Sequence, residues 1–361
     1  MKLKILIPIF IAFLAVCFYT TNQMITLNAA EQLWGYIPMF QLLSAWGAIV
    51  FGYKVVRQLF NADRETNWKY LGLSTLSGLL LWLGFPTMPF TPLMFVGLVP
   101  ILILENDIAK NSTSPKLDLL KYSYHAFIVW NILSTFWVAN TAYAAGLFAF
   151  IANSALMCIP ILGYHIIRAR QPRLRYAAFV SFWLTFELFH LWWDLSWTWL
   201  NLGNAFAQYP SWVQWYEITG VFGGSTWILV MNVLAYIVVD KLWVNKQALS
   251  KSDMSYPLAL LVLPIVVSVV MYNLHEEQGK SVEVVVVQPN YEPHYEKFNV
   301  KRRTQINNFL QLSQSQVTAS TDYLVFPETS FHSVEIDKAT TNRTLSMALC
   351  KYNLVKKHPI M

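Results

Sequence analysis

The feature that most constrains this chain is the distribution of its lysines and arginines between apolar stretches. Nine such stretches run roughly over 4–20, 35–53, 70–85, 90–104, 122–139, 143–167, 176–193, 219–239 and 257–273. The connections 21–34, 86–89, 140–142 and 194–218 contain no lysine or arginine. The cations fall instead at Lys2 and Lys4, at Lys54, Arg57, Arg64 and Lys69, at Lys110, Lys116 and Lys121, at Arg168, Arg170, Arg173 and Arg175, and at Lys241, Lys246 and Lys251. Cationic loops are retained on the cytoplasmic side of a membrane. The alternation therefore predicts nine crossings from a cytoplasmic start, with residues 1–273 as a membrane domain and 274–361 outside the cytoplasm.

Composition agrees: 55% of the residues are hydrophobic and 13% charged, against about 25% charged in a typical soluble domain. The net charge of +6 is dispersed between apolar segments, which argues against a nucleic-acid surface. Some stretches are shorter than the ~20 residues of a standard spanning helix. The third and fourth are interrupted by Gly84, Pro86, Pro89 and Pro92; two tilted helices joined by a tight turn are expected, a re-entrant pair being the alternative. The start, MKLKILIPIFIAFLAVC, reads as an uncleaved first helix. Val16 is bulkier than the small residue that precedes a processed cysteine, and further apolar spans follow. Cys17, Cys158 and Cys350 are far apart, so neither a metal cluster nor a disulfide framework is readable.

Beyond His275 the pattern changes. SVEVVVVQPN predicts a strand over about 281–288, and its unbroken apolar run predicts a strand covered on both faces. Ile306, Phe309, Leu310 and Val317 recur at helical spacing, predicting an amphipathic helix over about 299–317. A second strand follows at 323–326. The order strand, helix, strand is one crossover unit, and it places Glu328 at the carboxyl end of the second strand, the edge where open α/β sheets bind ligands. A last helix is expected from near Thr341. Two parallel strands bury too little to stand alone, so this domain is expected to be incomplete.

Within the membrane part, Glu187 sits midway along an aromatic span with His190 one turn on. A carboxylate there is costly and is a functional candidate by default, structural pairing with a neighbouring helix being the competing role. The loop bearing Trp193, Trp197, Trp199, Trp212 and Trp215 fits an interfacial aromatic belt.

Four segments together resemble the apolipoprotein N-acyltransferases, bacterial inner-membrane enzymes of lipoprotein maturation. They are LSGLLLWLGFPTMPFTPLMFVGLVPILIL from Leu76, WTWLNLGNAFAQYPSWVQWYEITGVFGGSTWILVMNVLA from Trp197, VEVVVVQPNYEP from Val282 and DYLVFPETSF from Asp322. The first two helices stand outside the likeness as an added pair. The resemblance implies a polytopic helical domain followed by a periplasmic nitrilase-like αββα sandwich. It further implies transfer of an acyl chain from a phospholipid, through a cysteine thioester, to the N-terminal cysteine amine of an apolipoprotein. A glutamate serves as base and a lysine stabilises the oxyanion.

Glu328 matches that glutamate. Lys338 and Cys350 stand in the right order for the other two. They lie too close to Glu328, on a predicted loop and helix, and are rejected as catalytic. The chain as given is therefore expected to be a fragment or truncation without transfer activity of its own. Three further positions carry substrate-binding expectations from the likeness: Phe298, where the family often has tryptophan after a lysine; Trp199, in the aromatic loop; and Glu187, which aligns with a family glutamate. No metal or cofactor is implied. The alternative reading is a non-catalytic membrane scaffold, a degenerate remnant of the family; a transporter would need more ionisable residues along a path than this chain offers.

Overall fold

In lipid a backbone must satisfy its own hydrogen bonds, so long apolar stretches become helices. The computed structural model describes residues 2–60, 67–292, 295–297 and 299–327, and it divides into two units, Met1–His275 and Glu276 onward. The first is helical: α1 (Leu3–Ala29), α2 (Ile37–Leu59), α3 (Trp68–Gly84), α4 (Val99–Asn111), α5 (Pro115–Thr135), the single turn α6 (Val138–Thr141), α7 (Tyr143–Arg170), α8 (Arg175–Phe189), the short α9 (Tyr216–Thr219), α10 (Val221–Val239) and α11 (Lys251–Leu274). Among the described residues, six segments are long and apolar enough to cross a membrane: Leu3–Ala29, Ile37–Leu59, Thr91–Asn111, Tyr143–Arg170, Val221–Trp243 and Lys251–Leu274. α3 and α8 have 17 and 15 residues, and α5 is less apolar. The chain is thus a multi-pass helical membrane protein.

Local chemistry sets several boundaries. Asn67 caps α3 by accepting from Lys69 N at 3.1 Å and Tyr70 N at 3.4 Å. Ser250 and Asp253 form a capping box that starts α11, satisfying amides that would otherwise be orphaned at the helix terminus. Between α3 and α4 the chain makes a 3₁₀ turn over Thr91–Phe95. The carbonyl and amide left open there are taken up by fully buried Asn232 of α10. Its side-chain amide donates to Met94 O and its oxygen accepts from Leu98 N, both at 2.7 Å.

The core runs through α3, α4, α5, α7, α8 and α10, around Trp130, Trp183, Tyr164, Phe127 and Phe206. α1 and α2 pair closely. A Cβ added at Gly47 would stand 2.5 Å from the Phe13 ring, and one at Gly52 would stand 2.7 Å from Phe10, so these two glycines let aromatic side chains reach the backbone of α2.

A buried ionic network closes one end of the helical unit. Glu105 of α4, fully buried, lies 2.7 Å from His165 Nδ1 and is also bonded by Arg168, both on α7. Arg168 donates to Asn106 Oδ1 at 2.6 Å, and Asn106 reaches Asp240 at 3.3 Å, in the π-helical turn Asp240–Val244 after α10.

The second unit holds β1 (Glu283–Val286), α12 (Arg302–Gln316) and β2 (Thr321–Val325), with β1 and β2 parallel. Pairing runs from Glu283 with Thr321 to Val286 with Val325. Asp322 is the extra residue of a bulge and accepts from Glu283 N at 2.9 Å. One expectation is corrected here. Val284, Val286, Tyr323 and Val325 are 44–69% exposed, so one face of the sheet is open among the described residues. α12 covers the other face through Ile306, Phe309 and Leu310, with Phe309 edge-on to Phe326 at 5.5 Å. A four-valine run marks high strand preference, but one amphipathic helix covers only one side.

Candidate functional site

Of the four residues expected to serve the chemistry, Glu328 and Phe298 lie outside the described residues, as do Lys338 and Cys350. Glu187 and Trp199 are described. They belong to the region where α8, the loop 190–215 and the start of α10 converge.

Glu187 is 1% exposed and lies in the last turn of α8. Its Oε1 accepts from Trp183 Nε1 at 3.1 Å and from the backbone N–H of Leu202 at 2.7 Å. Oε2 has no hydrogen-bond partner, although the Ser225 hydroxyl lies close enough to act on the carboxyl. The groups around the carboxylate are thus Trp183 of its own helix, the Leu202 amide and, on the neighbouring α10, the Ser225 hydroxyl.

Three glycines permit this convergence. Gly220 opens α10 at φ 62°, a conformation that glycine adopts without steric cost. Gly203 N donates to Ser225 Oγ at 2.9 Å, and Gly203 O accepts from Tyr216 Oη at 2.8 Å. A Cβ at Gly203 would lie 2.1 Å from Val221 O, and one at Gly224 would lie 1.7 Å from Tyr216 Oη. The 3₁₀ turn Leu202–Phe206 is thereby pressed against α10, and Leu202 N is aimed at Glu187.

His190, also 1% exposed, is boxed by Phe186 at 4.7 Å and by Trp193, whose Nε1 donates to His190 Nδ1 at 3.2 Å. With Nδ1 accepting, the proton of a neutral ring resides on Nε2, which has no partner. Two polar atoms one turn apart, Glu187 Oε2 and His190 Nε2, are thus buried and unbonded. Buried polar atoms without partners are rare and call for an explanation.

The tryptophans of the loop and of α10 differ in exposure. Trp227 stacks with Phe206 at 5.1 Å, meets Phe95 at 4.7 Å and donates to Leu260 O at 2.8 Å, in the interior. Trp199 is 56% exposed and stands edge-on to Trp137 at 5.2 Å. Trp199 and Glu187 thus differ in exposure, the first largely open and the second buried.

The profile of the apolipoprotein N-acyltransferase N-terminal domain matches residues 77–234, the span that holds α8, the aromatic loop and most of α10. This stretch is similar in sequence to that domain of the apolipoprotein N-acyltransferases. Curated proteins of that name from Chlorobaculum tepidum, Geobacter metallireducens and Rhodopirellula baltica are 24%, 21% and 25% identical to this chain, each over 72% of it. The match takes in 48%, 50% and 48% of those proteins, so the chain spans about half the length of the relatives it matches.

Sequence reasoning singled out Glu187 and missed Glu105, the other carboxylate buried among the described residues. The signal was faint: Glu105 closes an apolar run, and His165 and Arg168 share a face at spacing three. A sequence separation of 60 between Glu105 and His165 hides their meeting.

Proposed function

We propose that this chain supplies the membrane domain, and the start of a periplasmic nitrilase-like domain, of an acyltransferase of bacterial lipoprotein maturation. The reaction moves a fatty acyl chain from a phospholipid to the α-amine of a diacylglyceryl cysteine, through a thioester. The observation that carries this reading is the family match over 77–234 coinciding with the helices that build the Glu187 site. The parallel β1–α12–β2 unit that follows supports it.

In this reading the protein lies in the inner membrane with nine crossings, and Glu328, just beyond β2, is the general base. A thiol is a weak nucleophile until deprotonated, its free pKa being about 8.5, so a positioned carboxylate raises the thiolate fraction. Phe298 and Trp199 are assigned to substrate binding, Trp199 by contact with a lipid tail. Glu187 acts by fixing the backbone of 202–203, and with it the loop that bears Trp199. No residue of this chain is assigned as the thiol or the lysine.

The test is acylation of a synthetic diacylglyceryl-cysteine peptide by membranes containing the native gene product, read by mass spectrometry. Transfer that disappears in Glu328→Gln is expected. Transfer that continues at the same rate in that variant would remove Glu328 from the mechanism.

A further inference from the structure

Apart from the Glu187 site, the helical unit contains a cavity of about 470 Å³ bordered by α2, α3, α5 and α7. This is within the ~300–1,000 Å³ range of small-molecule sites. It is long as well as roomy. On α2 the lining extends from Trp46 to Lys54, and on α5 from Leu117 to His125. Each stretch rises about 12 Å along its helix, close to the ~15 Å of one leaflet in a hydrocarbon core of ~30 Å. Trp46 and His125, bonded to each other, close the slot near the middle of both helices, and Lys54 and Leu117 lie at the other end, where α2 finishes and α5 starts. Ile49 and Leu117 are 60% and 64% exposed, so the slot opens to the surroundings of the helices.

The polar atoms of the deep wall are already paired. Trp46 Nε1 donates to His125 Nδ1 at 3.0 Å, His125 Nε2 meets Thr75 Oγ1 at 2.9 Å, and Tyr124 Oη donates to Ile151 O at 3.4 Å. Lys54, at the open end, is buried, with its ammonium 5.6 Å from the centroid of the Tyr53 ring. What faces the interior is carbon, from Ile49, Val50, Leu71, Leu120 and Ala155. A polar ligand would give up its solvation there with nothing in exchange. A hydrocarbon chain gives up nothing, and it restores to the lining the dispersion contacts that an unfilled slot forfeits.

The geometry points to a site for one acyl chain of a membrane phospholipid, taken from the leaflet on the side where α2 ends. The chain lies between α2 and α5 with its terminal methyl against Trp46 and His125. Recognition is of the tail, and the head group stays in the interface and is not selected. Four helices border this chain, so it exchanges more slowly than one lying against the outward Val262 and Val266 of α11, which are 44% and 50% exposed. The bound tail fastens the α1–α2 pair to the remaining helices. Its α2 wall precedes the matched span 77–234, and the site does not depend on the acyl-transfer reading.

The test uses the purified full chain in a neutral detergent, supplied with phosphatidylcholine that carries a photoactivatable diazirine midway along one acyl chain. Adducts are mapped by mass spectrometry after irradiation. Adducts on Val50, Leu71 and Leu120 are expected to saturate with one lipid bound. Unlabelled phosphatidylcholine should remove them only at concentrations well above those that remove adducts on Val262 and Val266 of α11. Phosphatidylglycerol of identical chains should compete as well as phosphatidylcholine. Ala155→Phe, which fills the slot, should abolish the first set of adducts and spare the second. If that variant fails to fold, the competition measured on the unaltered chain decides alone. Two sets of adducts equally sensitive to competitor mark ordinary boundary lipid and overturn the site, as does slot labelling that Ala155→Phe leaves unchanged or that never occurs. A clear preference for phosphatidylglycerol would put recognition on the head group, and would overturn a tail site too.

Discussion

Trp46 on α2 donates its indole N–H to His125 Nδ1 on α5 at 3.0 Å, and the same imidazole passes its other nitrogen to Thr75 on α3 at 2.9 Å. Three helices are thus joined by a single side chain that has no polar atom left over. Other polar ties of the α1–α2 pair to the bundle include Tyr143 Oη to Gln41 at 2.8 Å and Asn140 Nδ2 to Gly35 O at 3.0 Å.

Trp46→Phe keeps an aromatic ring in place and removes only the donor. An interhelical hydrogen bond in a membrane protein contributes about 0.6 kcal/mol on average and up to about 1.7. The variant should unfold in detergent with a loss in that range, and crosslinks between α2 and α5 should weaken. An unchanged melting curve would mean that the bond adds nothing to the docking of α2.

The Glu105 network makes a larger demand. A buried carboxylate stripped of its charged partner costs about 3–5 kcal/mol, because the remaining charge cannot be solvated. Arg168→Leu should therefore destabilise the helical unit by roughly that amount. The double change Glu105→Leu with Arg168→Leu should recover much of the loss, since an apolar pair of similar volume needs no compensation. A double variant as unstable as the single one would show that the network does more than balance its own charges.

Glu187 separates structure from chemistry through two substitutions. Glu187→Leu leaves Leu202 N and Trp183 Nε1 without an acceptor, a loss of about 1–3 kcal/mol for each buried group left unpaired. Glu187→Gln retains an oxygen for both donors and should keep near-normal stability. If the carboxylate serves only to hold the loop, Glu187→Gln membranes will acylate the peptide normally. If its free oxygen works with His190 on the substrate, transfer will fall while the melting temperature stays unchanged.

How much of this was legible beforehand depends on the range of each contact. The helices were readable because apolar run length, cation placement and caps such as Asn67 act within a few residues. β1 and β2 were readable for the same reason, but the covering of their faces was not, since that depends on how many helices pack against them. In the candidate site, Glu187 stood out as an ionisable residue in an aromatic span. Its true partner, the amide of Leu202, has no side-chain signature, and its placement rests on Gly203 meeting Val221 O. A glycine needed for close approach looks the same in a sequence as a glycine in a loop.

That close approach is itself testable. Gly203→Ala would place a methyl against the backbone oxygen of Val221, whereas Gly224→Ala would meet the Tyr216 hydroxyl, which can swing away at the cost of its bond to Gly203 O. Overpacking costs about 1–3 kcal/mol, and a backbone atom yields less readily than a side chain. Gly203→Ala should be the more damaging of the two, by thermal unfolding in detergent. The reverse order would mean that the Tyr216 hydroxyl, and not the 202–206 turn, holds this corner together.

The second unit carries its own acid sensitivity. Glu283 accepts from Thr321 Oγ1 at 2.6 Å, Ser320 Oγ at 2.8 Å and Thr318 Oγ1 at 3.1 Å, and these bonds to the charged form hold its pKa below the ordinary 4.5, the Thr321 bond contributing most. A carboxylate whose folded pKa is depressed adds stability above its unfolded pKa and loses it as pH falls through the folded value. Protection of Val287 N, which bonds Val325 O at 2.9 Å, should therefore be constant above about pH 5 and decline below 4.5. Hydrogen exchange corrected for the intrinsic rate measures this directly. Glu283→Gln, which does not titrate, should flatten the profile. An equally steep decline in that variant would show that Glu283 is not the source of the sensitivity.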